Sequence, residues 1–163
     1  MNVELWKIKN IPNLVRGLPG LLAARLMPAV MLESRLYAIV TRANGRVEDL
    51  GLISTRVVTT AGVNYISAAF INSTTSPLDV FKYHGCGTGT GAEAVGDTAL
   101  GTETGSRATG TQVQGTTANI FKTVATIAFT STLAITEHGL FSAASSGTLL
   151  DRSLFTAINV VSG

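Results

Sequence analysis

Asparagine followed by glycine at positions 44 and 45, directly after the run Leu36-Tyr37-Ala38-Ile39-Val40-Thr41, constrains the fold of this chain most. A type I′ turn needs positive φ at both central positions, and Asn-Gly meets that need with the least strain. The pair therefore predicts a β-hairpin, with a return strand over residues 46–54 and a continuation over 56–59. Further strand-like runs cover residues 79–84, 107–114, 119–130, 133–142, 148–155 and 156–161. Within 119–130, Phe121, Ala125, Ile127 and Phe129 stand against Lys122, Thr126 and Thr130. Ser145-Ser146-Gly147 reads as a turn between two of these runs.

Residues 60–71 differ: Val63, Ile66 and Phe70 fall at helical spacing, and Thr60 is a candidate N-cap. Charged residues are only 13% of the 163, too few for the charged outer face of a helical bundle or coiled coil. Strands recurring at this spacing in a Thr-rich chain point to a mainly β fold. The expected architecture is an antiparallel β-sandwich or barrel, jelly-roll-like, over residues 35–163, with one short helix. The last strand-like run ends at the C-terminus, so its edge is expected either to end the sheet or to be completed by a partner.

Residues 1–34 read as an extended arm. Residues 1–46 hold seven basic side chains against Glu4 and Glu33, a net +5, whereas residues 47–163 hold five against eight, a net −3. The apolar stretch 11–32 is interrupted by Arg16 and Arg25 and broken by Pro12, Pro19 and Pro28. That composition argues against a membrane-spanning helix or a secretory signal. Without a signal, the sequon Asn72-Ser73-Thr74 carries no glycosylation meaning. Leu18, Leu21, Leu22, Leu26 and Met27 need a surface to lie against, at about 0.8 kcal/mol per buried CH₂. Together with Trp6, Lys7, Lys9, Arg16 and Arg25 they form the expected partner-binding segment. The basic residues are scattered among Leu, Pro and Gly, without stacking aromatics, so nucleic acid is not the expected partner.

Candidate chemistry is sparse. Gly87-Thr88-Gly89-Thr90-Gly91-Ala92 fits G-x-G-x-x-A, but the glycine-rich sequence after it cannot open the helix that a dinucleotide site requires. The glycines read instead as positions of close backbone approach. His84 and Cys86 share a face if they lie on a strand, and His138 joins them if its strand is a neighbour; a metal site is conceivable only then. Glu137 must point to the opposite face from His138. Glu93, Asp97 and Glu103 lack a calcium-loop pattern. Asp97 reads as a helix-start or turn cap, and Asp151-Arg152 as surface or inter-subunit pairs. The single cysteine excludes an internal disulfide. No nucleophile, base and orienting group can be named together, so the chain reads as a non-enzyme without cofactor.

Four stretches taken in order resemble small structural proteins of tailed bacteriophages and prophages. They are Lys82-Tyr83-His84-Gly85-Cys86-Gly87-Thr88-Gly89-Thr90, then Ala94-Val95-Gly96-Asp97-Thr98-Ala99-Leu100-Gly101-Thr102-Glu103, then Thr136-Glu137-His138-Gly139-Leu140-Phe141-Ser142, and Leu149-Leu150-Asp151-Arg152-Ser153-Leu154-Phe155. The resemblance covers residues 35–160 and implies a virion component made in the bacterial cytoplasm. A capsid decoration or cement protein is the leading expectation, located on the capsid surface. Its expected partners are the major capsid protein and further copies of itself, as a dimer or trimer, with no nucleic acid and no membrane. The alternatives are a tail or fibre component and a carbohydrate- or ligand-binding β module for host attachment; the one tryptophan, Trp6, lies in the arm and counts against the last.

Overall fold

The computed structural model describes residues 32–117 and 120–161. Their strands are β1 (Ser34–Thr41), β2 (Val47–Val58), β3 (Tyr83–Gly87), β4 (Glu103–Thr109), β5 (Thr111–Gln114), β6 (Phe121–Val124), β7 (Leu133–Phe141) and β8 (Leu149–Val160). One helix, α1 (Thr60–Ile71), links β2 to β3. Six strands form an open sheet in the order β1-β2-β8-β7-β3-β4, and β5 and β6 form a separate two-stranded sheet. All of the pairings are antiparallel.

The mainly β class and the short helix stand as the sequence predicts, but the sandwich, barrel or jelly-roll does not. Neither sheet closes on itself: β1 and β4 are the free edges of the larger one. Two local breaks explain the difference. After β4 the Gly110 amide turns aside to donate to the Lys82 carbonyl (2.6 Å), so the run expected over 107–114 splits between the two sheets. The run expected over 119–130 yields only the four-residue β6. The C-terminal run joins the preceding one as the continuous strand β8; its residues 158–160 pair with β7, while β2 pairs only with Asp151 and Arg152 nearer the start of β8.

The first hairpin forms where Asn44-Gly45 places it, with a different turn. Gly45 N donates to Arg42 O and Arg42 N to Arg46 O, both at 2.8 Å. Gly45 takes φ +81°, while Asn44 is not among the described residues with positive φ. The loop is thus three residues ending on a left-handed glycine rather than a two-residue type I′ turn. Ser146 (φ 54°) and Gly147 (φ 76°) supply consecutive left-handed positions in the β7–β8 loop. The strand expected over 79–84 begins later, because a 3-10 turn occupies Leu78–Val80.

Helix α1 is capped by Thr59, one residue before the expected Thr60; its hydroxyl accepts from Gly62 N at 3.0 Å. The helix packs through Gly62 against Leu150, close enough that a Cβ at Gly62 would sit 2.6 Å from the Leu150 carbonyl. Of the residues at helical spacing only Ile66 is half-buried; Val63 and Phe70 (82%) are exposed, as is Ile71 (85%) beside them. The aliphatic and aromatic core is small, with Leu100, Phe141 and Leu149 packed beside Tyr83. Arg107 lies over the Phe141 ring, 3.3 Å from its centroid, and pairs with Glu103. Much of the remaining interior is polar.

Candidate functional site

The centre of the six-stranded sheet buries charge on both faces. Alternation along β7 sends Glu137 to one face and His138 to the other, as the sequence predicts. Alternation along β8 likewise separates Arg152 from Asp151 and Ser153, with His138 opposite Ser153 and Gly139 opposite Arg152.

On the first face, Glu137 is fully buried and Arg152 nearly so (0% and 4% exposed). Glu137 Oε1 accepts from Gly89 N (3.0 Å) and Thr102 N (2.7 Å). Its Oε2 accepts from Gly101 N (2.9 Å) and from Arg152 Nε (3.0 Å) and Nη2 (2.8 Å). Arg152 directs its remaining donors to Asp97 Oδ2 (2.9 Å), Gly91 O (3.0 Å) and Ala92 O (3.4 Å). Burial alone would raise the Glu137 pKa, but the Thr102, Gly101 and Gly89 amides and the Arg152 guanidinium hold it below the usual 4.5. Asp97 behaves similarly: burial opposes ionisation, yet the Ala94 amide and Arg152 lower its pKa. Burial opposes the charge on Arg152 too, but Asp97 and Glu137 raise its pKa.

This ion pair is the frame on which residues 88–102 are folded. A Cβ at Gly87 or Gly89 would collide with the Glu137 carboxylate, and at Gly87 also with the Thr102 carbonyl. The glycines are there for close approach, and the chain element they approach is a buried side chain of this same protein. Asp97 caps a turn, accepting from Ala94 N at 2.9 Å, as expected. Asp151 and Arg152 are not surface or inter-subunit pairs; both are buried, with partners inside the chain.

On the opposite face a polar chain crosses five strands. Ser34 Oγ donates to Asp151 Oδ2 (2.7 Å), and Asp151 Oδ1 accepts from Arg56 Nη1 (2.6 Å). Arg56 Nη2 lies 2.5 Å from His138 Nδ1, His138 Nε2 lies 3.0 Å from His84 Nδ1, and His84 Nε2 lies 3.1 Å from Thr123 Oγ1 on β6. A guanidinium only donates, which assigns the tautomers along the chain. His138 Nδ1 accepts, so its Nε2–H donates to His84 Nδ1, and His84 Nε2–H donates to Thr123. This polarity leaves no imidazole lone pair facing the Thr123 hydroxyl. Burial, followed by the Arg56 charge, lowers the His84 pKa to about 4, and the same causes together with His84 place His138 well below 6.5. Both rings are therefore neutral at pH 7. Arg56 Nε and Ser153 Oγ, also buried here, have no hydrogen-bond partner among the described residues.

His84, Cys86 and His138 do come together, with Cys86 opposite His138 in the β3–β7 register. Their geometry is not that of a metal centre. The two rings meet nitrogen to nitrogen in an edge contact, 5.1 Å between centroids, instead of converging on a common point. Among the described residues no group of three His, Cys, Asp or Glu side chains is arranged to hold a metal ion. Burial pushes the Cys86 thiol up to about 12.

Sequence reasoning missed Arg56 and Thr123 and misplaced Arg152. In so weakly charged a chain, the signal was a charged residue inside a strand run: Arg56, Glu137 and Arg152 all sit so. Trp6, Lys7, Lys9, Arg16, Leu18, Leu21, Leu22, Arg25, Leu26 and Met27, the expected partner-binding residues, lie outside the described residues. No described helix is long and apolar enough to cross a membrane. The chain matches no protein-family model, no curated protein and no solved structure.

Proposed function

We propose that this chain is a structural component of a tailed-phage virion, a decoration protein that adheres to the capsid surface through residues 1–34. The observation that carries the reading is where the molecule spends its charged and apolar groups. The buried charges are engaged in holding residues 88–102 and the sheet together, and these are the stretches on which the virion resemblance rests. Large apolar side chains meanwhile face outward: Tyr37 (62%), Ile39 (65%), Val47 and Leu52 on the β1–β2 hairpin, and Phe70 and Ile71 at the end of α1. Outward apolar side chains of this size favour adhesion, and many copies on one lattice sum weak contacts into firm attachment.

Quantitative mass spectrometry of purified virions tests this. A shell protein is present at a copy number comparable to that of the capsomers. A count of a few to some tens places the chain in the tail instead, and its absence from particles refutes the proposal.

A further inference from the structure

Among the described residues, polar ties join the two-stranded sheet to the six-stranded one. His84 donates to Thr123, Gln112 Nε2 to Phe81 O (3.3 Å) and Gly110 N to Lys82 O (2.6 Å). Its apolar residues Val113, Ile120, Phe121 and Val124 remain exposed, so little hydrophobic burial resists its opening. Gly110 and Thr123 close directly over the His84 ring, and a Cβ at Gly110 would clash with both side chains. The hairpin is thus the lid of the histidine pair.

We propose that His84 is an acid-operated latch: with the imidazole neutral the β5–β6 hairpin stays docked on β3, and protonation of His84 releases it. The surroundings of His84 dictate the sign. Arg56 on β2 presents a fixed positive charge, and Asp151 on β8 only partly offsets it. Neutral His138 on β7 uses its one N–H to donate to His84 Nδ1, which can accept that bond only while unprotonated. Thr123 on β6 and the half-buried Cys86 thiol on β3 bring no compensating negative charge. Glu137 and the Glu103–Arg107 pair are committed to bonds on the other face. A proton on His84 Nδ1 therefore meets a donor and a cation, and the ring gains by turning to water as the hairpin lifts.

The Gly110 amide reports docking because it sits at the hinge between β4 and the hairpin, and its hydrogen bond to Lys82 O, just before β3, is strained as the hairpin lifts. A ring turned out to water takes the ordinary imidazole value of about 6.5, whereas the docked one titrates at about 4. Linkage then makes opening ~30-fold more frequent at pH 5.0 than at pH 7.5. Hydrogen exchange of full-length protein, corrected for intrinsic rates, should show that increase at Gly110, whose opening free energy should stay well below that of the β7–β8 amides at both pH values. In His84→Gln, which keeps a donor and an acceptor without titrating, the increase should vanish. Protection at Gly110 no weaker than at the β7–β8 amides, no rise at Gly110, or a rise that persists in His84→Gln overturns the proposal. Should His84→Gln not fold, the wild-type contrast between Gly110 and β7–β8 decides the matter alone.

Discussion

Replacing Glu137 with alanine is the perturbation whose cost the structure defines best. The side chain accepts from three backbone amides and doubly from Arg152, with no exposure to water. Removing one partner of a buried ion pair costs about 3–5 kcal/mol, because the other charge stays buried. Asp97 retains part of the Arg152 charge, which sets this contribution at the lower end. The stranded amides of Gly89, Gly101 and Thr102 each add about 1 kcal/mol or more unless water reaches them. The expected loss is about 6 kcal/mol, a drop in melting temperature of roughly 12–24 °C for a chain of this size. Urea titration followed by circular dichroism measures it. In a double-mutant cycle, adding Arg152→Ala to Glu137→Ala should cost much less than Arg152→Ala does in the wild-type protein. A loss below about 1 kcal/mol, or simple additivity, would show that the pair is not the frame of residues 88–102.

Three other outcomes follow from the same geometry. The neutral His84 binds its proton only near pH 4 when folded but near 6.5 when unfolded, so stability should be intact above pH 6.5 and fall by about 3 kcal/mol as the pH drops to 4; urea midpoints that stay flat over that window would contradict it. Glu137 adds a loss at lower pH, because its contribution is present above 4.5 and disappears as the pH falls through its depressed folded value. Gly87→Ala and Gly89→Ala should each cost about 1–3 kcal/mol by overpacking, whereas Gly91→Ala, with open space at its Cβ, should be nearly neutral in a thermal melt. Cys86 should resist a disulfide reagent at pH 8 in native protein and react once denaturant is added.

What the sequence disclosed was local. Alternation along β7 separated Glu137 from His138 correctly, and the hairpin and helix lie where Asn44-Gly45 and the run 60–71 put them. What it hid was pairing at a distance. Strand patterns record which residues share a face, not which strands adjoin, so nothing in the sequence could say that β8 inserts between β2 and β7 and brings Arg152 under Gly89 and Gly91. The sandwich expectation failed for a related reason: strand runs of suitable length and spacing do not show that Gly110 turns the chain out of one sheet or that only four residues of the 119–130 run pair. Nor do they show that Glu137, Arg152, Arg56 and Asp151 occupy buried positions because each finds a partner. The α1 cap slipped by one residue because Thr59 and Thr60 are equally good caps by type, and packing of Gly62 on Leu150 decides between them.

The adhesive role is tested most directly by removing residues 1–30 and measuring attachment to particles that lack the protein. The account predicts that the shortened chain keeps the circular dichroism and melting behaviour of the β body yet no longer cosediments with particles, while the full chain does. Undiminished cosedimentation of the shortened chain would contradict it.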